Sequence, residues 1–396
     1  MGSPTATDRG LGGLARELAG GVGDWGLLIP ISVALIAING LDATVVFGGA
    51  GLTYVATAAY FRVPIPVQPL KAFGAAAIAL ELSAETIAAG ALLMAVTMAG
   101  LAATGLAGWL AARFPKVLVR GIQAAVALLL AKAAIELARS GNWDGLPAID
   151  PGASLLLAAL ACAVLFLASR RGGLPGSLLV LAGGAGVGLA VAGMPDLSLG
   201  PGTPALSVPD AGAFGTALTS LVLAQIPLTF GNSIVATADA EREYFGARAR
   251  RVTPRRLAAS IGVANGFSGL LAGLPVCHGA GGVTAHYKLG ARHAIATAMG
   301  GAILVALALS LGSSLPALLQ VVPPGALAGM LMFVAIQHGL LAARVHTASD
   351  RAIALSVGVV TLVAGSLAWG FLAGALALAG RTALRRSLLD HGMAEA

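Results

Sequence analysis

Apolar positions along the chain cluster in long blocks rather than in the stripes of an amphipathic helix. From about residue 25 to residue 384, aliphatic stretches of 15 to 25 residues recur, separated by short segments carrying proline, glycine or charge. Roughly 20 apolar residues in a helix match a hydrocarbon core ~30 Å thick. The two-residue alternation of a membrane barrel is missing, so the blocks predict transmembrane helices. They fall near 25–42, 46–61, 68–82, 86–110, 117–138, 153–169 and 175–193, then near 213–237, 257–273, 281–295, 297–317, 323–341, 351–367 and 368–384. The expected fold is an all-α polytopic membrane protein of about fourteen spans.

Charge orients these spans. Only 10% of the 396 residues are charged and 57% are hydrophobic, against ~25% charged for ordinary soluble domains. With the N-terminus in the cytoplasm, 21 of the 24 Lys and Arg fall on that side, from Arg9, Arg16, Arg62, Arg113 and Arg120 through the run 242–256 to Lys288, Arg344 and Arg381. Lys71, Lys132 and Arg139 are the remainder, and the opposite loops carry Asp144, Asp150, Asp196 and Asp210. This positive-inside pattern puts both termini in the cytoplasm of a multi-pass cell-membrane protein and requires an even count. The stretch ALSVGVVTLVAGSLAWGFLAGALALAG therefore reads as two short spans, because one long helix would carry Arg381, Arg385 and Arg386 to the acidic side. The net charge of +7 is a topology signal, and no clustered base-reading or stacking residues suggest nucleic acid. Residues 1–24 are too polar and glycine-rich for a cleavable signal peptide and read as a cytoplasmic tail. Cys162 and Cys277 lie in apolar segments, with no C-x-x-C pair.

Fourteen spans divide into two sevens, and an odd number per half makes the halves opposite in orientation. LLIPISVALIAING (27–40) resembles AQIPLTFGNSIVAT (224–237), with Pro30 matching Pro227. Pro66 is followed 49 residues later by Pro115, and Pro275 is followed 49 residues later by Pro324. Equal spacing of this kind is expected of an inverted-repeat transporter, whose binding site lies where proline or glycine breaks equivalent helices of the two halves. The expected organisation is a tail (1–24), a first repeat (25–193), an extracytoplasmic linker (194–212), a second repeat (213–384) and a tail (385–396).

The broken segments are PIPVQPLKAF in the third span and LPVCHGAGGVT before the tenth. Pro64, Pro66 and Pro69 forbid regular helix, so a half-helix is expected to start at about Gln68 with Pro69 in its first turn. Gly279, Gly281 and Gly282 let backbone amides approach a ligand. Two half-helix N-termini at mid-membrane, each worth about +0.5 charge, together with Lys71 come to about +2, which suits a small dianion. A lysine at that depth costs ~2.5 to 3.5 kcal/mol by insertion scales and points to function. The alternative, pairing with Glu81 or Glu85, is weaker because both sit toward the far membrane face. His278 either contacts the oxyanion and exchanges a proton or is a satisfied buried histidine that fixes the loop. Cys277 reads as packing. Thr229, Asn232 and Asn39 either line the site or make interhelical hydrogen bonds. Lys132 has Glu136 one turn on as a structural partner.

At these segments the sequence resembles the molybdate transporter family related to sulfate permeases. PVQPLKA (Pro66 to Ala72) and CHGAGGVTAHYKLGAR (Cys277 to Arg292) look like that family's two hallmark motifs. The resemblance implies a seven-plus-seven inverted repeat with core and gate domains, and an oxyanion such as molybdate or sulfate held between the third and tenth spans. It implies no STAS domain after the last span and no cofactor. By position it assigns Gln68, Lys71, His278, Gly279 and Gly281 to the site; Cys277, Ala280 and Gly282 of the same loop, with Asn232 and Thr229, complete the expected substrate-binding set. Two departures stand out: His286, where the family usually carries a glutamine, and the absence from the eighth span of the acid that proton-coupled relatives use. His278 is then the one evident proton carrier near the site. A homodimer is an option that the pattern neither requires nor excludes.

Two other readings compete. A nucleobase or bicarbonate carrier shares the fold, but a nucleobase site favours a central carboxylate and aromatic stacking. GFSG (266–269) with AHYKLG resembles rhomboid protease motifs, yet Ser268 and His286 are only 18 residues apart and the second motif has one residue too many. Cys277, His278 and His286 lack the further ligands a zinc site needs.

Overall fold

The computed structural model describes residues 11–106, 109, 115–141, 148–171, 176–345 and 347–394. Arg9, Arg113 and Asp144, used above for orientation, lie outside them. The first half comprises α1 (Leu11–Gly21), α2 (Trp25–Asn39), α3 (Ala43–Phe61), β1 (Gln68–Pro69), α4 (Lys71–Ala79), α5 (Ala84–Thr104), α6 (Lys116–Ser140), α7 (Pro151–Arg171) and α8 (Gly176–Ala192). The second comprises α9 (211–245), α10 (Pro254–Leu270), β2 (Val276–Cys277), α11 (Ala280–Leu289), α12 (Ile295–Leu311), α13 (Leu315–Gln320), α14 (Pro324–Ala342), α15 (Ala348–Ala364) and α16 (Leu367–Ala394). Seven of these are long and apolar enough to cross a membrane alone, or eight if α1 and α2, bent by 50°, form one span. The protein is a multi-pass membrane protein.

Each of the fourteen apolar blocks contains a helix, and local chemistry sets many of the ends. Asp42, Ser83, Asp210, Thr253 and Thr347 cap α3, α5, α9, α10 and α15 by accepting from the third amide on, the expected role for a short polar N-cap. Gly365, at φ +62°, stops α15 in the left-handed conformation. That break makes the stretch ALSVGVVTLVAGSLAWGFLAGALALAG two helices. The run α9 is continuous but contains wider π-helical turns at Leu218–Val222 and Thr229–Ala236.

The packing repeats between halves. Helix α3 packs on α12 and α10 packs on α5; α6 packs on α15 and α14 packs on α7; α7 packs on α8 and α15 packs on α16. Exchanging equivalent helices of the two halves turns the first member of each couple into the second. Helices α6 and α14, equivalents themselves, pack on each other. Small residues permit these approaches, the usual device where lipid removes the hydrophobic drive. A Cβ on Gly51 would lie 2.6 Å from Gly301 O, and one on Gly301 would lie 2.6 Å from Gly51 O. Gly325 and Gly329 likewise seat α14 on the backbone of Ser154 and Ala158 in α7.

Three boundaries differ from expectation. Within the stretch 1–24 expected as a tail, residues 11–21 form a helix that packs on α11 and α12. Gly20 and Gly21 allow it, since a Cβ there would strike the Ala291 and Ala296 backbone. Glu17 anchors it by accepting from the amides of Arg292 and His293 at 2.9 and 3.1 Å. Helix α4 starts at Lys71, not Gln68, because Gln68 and Pro69 are extended and pair antiparallel with Cys277 and Val276. Finally, α16 continues past residue 384 to Ala394.

Candidate functional site

The two-stranded pairing is what brings the broken segments together. Register places Gln68 opposite Cys277 and Pro69 opposite Val276, and Leu70 N donates to Pro275 O at 2.9 Å. Asn265 of α10 holds β2 from behind, donating to Val276 O at 2.7 Å and accepting from Val276 N at 3.0 Å. Helices α4 and α11 then both begin within a few residues of the pairing, at Lys71 and Ala280.

Lys71 Nζ donates to Gln68 Oε1 at 2.8 Å, while Glu85 is engaged elsewhere, accepting from Asp210 N at 2.9 Å. The Gln68 carboxamide lies over Gly279 and Gly282. A Cβ on Gly282 would sit 2.5 Å from Gln68 Nε2 and from Pro66 Cβ, and one on Gly279 would strike Gln68 Oε1. Gly281, by contrast, has nothing within 4 Å of an added Cβ and is exposed. It faces a cavity of about 670 Å³ lined also by Gln68, Lys71, Asn232, Cys277 and Gly282.

Other expected site residues do not reach that cavity. His278 is fully buried with both ring nitrogens engaged, Nδ1 on Pro66 O at 2.8 Å and Nε2 on Ser260 Oγ at 3.0 Å. Nδ1 therefore donates to the carbonyl and Nε2 accepts from the hydroxyl, so the ring ties the two broken segments to α10 and has no nitrogen to offer an anion. Its backbone carbonyl is also held, by Thr237 at 2.9 Å. Thr229 is buried and exchanges hydrogen bonds with Gln225. Gly279 and Ala280 turn the chain behind the wall, and Asn39 grips the far end of α4 through Ala77 O and Leu82 O, both at 2.8 Å. Lys132 pairs with Glu136 at 3.5 Å on an exposed face.

Several functional groups escaped the sequence. Gln225 Oε1 accepts from Ala72 N and Phe73 N at 3.0 and 3.1 Å, so a side chain of α9 caps the first half-helix. Gln225 in the otherwise apolar stretch LAQIPL was a weak signal of this. Asp24 lines the cavity, and His286 lies against it at 2.9 Å. The expectation of no acid on the eighth span holds only to residue 237, because α9 continues and buries Glu241, whose oxygens have no hydrogen-bond partner among the described residues. Across the cavity, α6 contributes Arg120, bonded to Gln123 at 2.9 Å, and α14 contributes His338. Ser268 Oγ has no hydrogen-bond partner among the described residues and His286 turns to Asp24, so the serine–histidine pairing of a rhomboid protease is not made.

Residues 16–130 and 217–338 match the family model described as "Molybdate transporter of MFS superfamily". The chain belongs to this molybdate transporter family. It is 28% identical to "Molybdate transporter 2" of Arabidopsis thaliana, over 90% of this chain and 85% of that one. It is 28% identical to "Molybdate transporter 1" of Chlamydomonas reinhardtii, over 92% and 90%. Among solved structures, the transmembrane domain of the cyanobacterial bicarbonate transporter BicA superposes with a TM-score of 0.67 at 17% identity, covering 92% of this chain and 98% of that domain. Murine Slc26a9, an anion transporter in its inward-facing state, superposes with a TM-score of 0.67 at 14% identity, covering 93% and 68%. These two likenesses establish a common fold.

Proposed function

We propose that the protein carries a small tetrahedral oxyanion, molybdate first and sulfate second, across the membrane by alternating access. The observation that carries this reading is the convergence of Lys71, Gln68 and the open Gly281 end of α11 on one cavity. A helix N-terminus supplies about +0.5 charge and Lys71 a full one, while Gln68 and Asn232 offer neutral donors to oxygen atoms that point outward in every direction. The family's named members support the choice of substrate.

In this reading the fourteen helical blocks are fourteen spans, arranged as inverted sevens over 25–193 and 213–384 with a linker at 194–212. Both termini are cytoplasmic and the half-helices meet near the bilayer midplane. The cavity wall extends to Arg120 and Lys288, residues that the charge pattern assigns to the cytoplasmic side, so the cavity opens inward. A core built on α2–α5 and α9–α12 moves against a scaffold of α6–α8 and α14–α16. Titrating the purified protein with molybdate, tungstate, sulfate and phosphate tests the claim. Saturable binding in which tungstate competes with molybdate and sulfate binds more weakly is expected; no binding of any of the four overturns it.

A further inference from the structure

Beside the anion cavity lies a buried acid that oxyanion binding alone does not use. Asp24, at the N-terminal end of α2, is 4% exposed and lines the cavity with Gln68 and Lys71. Its Oδ1 is 2.6 Å from Tyr54 Oη and 2.9 Å from His286 Nε2, and both neighbours are fully buried. Nε2 is at contact distance without hydrogen-bond alignment, and Asp24 Oδ2 has no hydrogen-bond partner among the described residues. Buried polar atoms left unmade cost about 1–3 kcal/mol each, and such atoms in a folded protein call for an explanation.

The tyrosine supplies one. Tyr54 Oη is within hydrogen-bond distance of two acceptors, Asp24 Oδ1 at 2.6 Å and Val67 O at 3.1 Å, yet a phenol has one proton to give. With Asp24 ionised, Tyr54 donates to the carboxylate and Val67 O goes without. With a proton on Asp24 Oδ1, the acid donates to Tyr54 Oη, and Tyr54 donates to Val67 O. Both Tyr54 contacts are satisfied only in the second state. Val67 directly precedes Gln68, so the acid's protonation reaches the strand that carries the anion site.

We infer that Asp24, with Tyr54 and His286, is the site of a proton that binds together with the transported oxyanion. The inference rests on the proposed function for its second ligand. An ionised Asp24 puts a negative charge on the wall of a cavity meant for a dianion, and in a low-dielectric interior like charges repel strongly. A proton taken from cavity water removes that charge. By linkage, anion and proton then each strengthen the binding of the other. His286 Nε2, 2.9 Å from Asp24 Oδ1, is the adjacent nitrogen through which the proton can pass. The other titratable groups facing this corner are Lys71 on α4, Cys277 on β2, Lys288 on α11, Arg120 on α6 and His338 on α14. From α1, Glu17 is turned to His293 and Arg16 packs over Gly290. Helices α8 and α12 carry no charged residue.

Calorimetry of the purified protein in buffers of different ionisation enthalpy tests the inference. Protons should be taken up with molybdate, at most one per anion bound. The dissociation constant should rise with pH, by up to about tenfold per pH unit where Asp24 is ionised in the anion-free protein. Asp24→Asn should abolish the uptake and hold the tight low-pH affinity throughout. Infrared difference spectra between acid and alkaline pH, recorded without anion, should carry a protonated-carboxyl band that Asp24→Asn removes. Molybdate binding with no proton uptake by the wild type overturns the inference, as does a carboxyl band that survives Asp24→Asn. If no oxyanion binds while the band behaves as expected, the transport reading fails and the proton site stands. Should Asp24→Asn not fold, the wild-type pH dependence decides alone, and a flat one overturns the inference.

Discussion

Helices α4 and α11 each follow one strand of the β1–β2 pair, yet their ends are finished differently. At α4 the amides of Ala72 and Phe73 are capped by Gln225, and the far end is gripped by Asn39. At α11 the first turn is Ala-Gly-Gly, Gly281 is open, and two of the glycines are pressed against Gln68. One segment thus brings a fixed charge on a clamped helix, and the other brings exposed backbone. A single side chain, Gln68, joins them by touching Lys71, Gly279 and Gly282 at once. Symmetry of fold therefore supports asymmetry of chemistry.

Removing the charged member should break the comparison most severely. Lys71→Ala deletes a charge-assisted contact worth about 1.5–3 kcal/mol, so molybdate affinity is expected to fall by roughly ten- to 150-fold while the protein still folds. Unchanged binding by titration would take Lys71 out of the site. Next in size is the glycine contact. Gly282→Ala forces Gln68 aside, an overpacking cost of about 1–3 kcal/mol, and is expected to weaken binding about tenfold or more. Gly281→Ala, which meets nothing, should do much less to stability; equal losses of melting temperature in the two variants would contradict the packing described. The smallest effect is at the cap. Gln225→Leu leaves two buried amides unpaired and should lower the melting temperature by an amount equivalent to about 1–3 kcal/mol, with a smaller change in affinity. A melting temperature equal to wild type would mean that the amides find other acceptors.

Much of this architecture was legible in the chain before folding was considered. Helix existence follows from block length and apolarity, the breaks from Pro64, Pro66 and Pro69 and from Gly279 to Gly282, and the separation of α15 from α16 from one glycine and the sidedness of three arginines. These are local properties: a proline lacks a donor wherever it is placed, and a glycine at positive φ ends a helix without help from its neighbours. Lys71 was legible because an ammonium in an apolar block is costly in any arrangement.

What the tertiary structure alone decided is which polar groups meet. The sequence left His278 between anion contact and loop anchor, and its ring nitrogens are spent on Pro66 and Ser260, whereas His286, the residue that departs from the family motif, faces Asp24 from 262 positions away in the chain. Gln225 reaches amides some 150 residues earlier. Periodicity says which residues share a helix face, but not which face another helix will cover. That depends on how closely helices approach, and here the approach is set by glycine contacts between distant segments, such as Gly51 with Gly301 and Gly21 with Ala296.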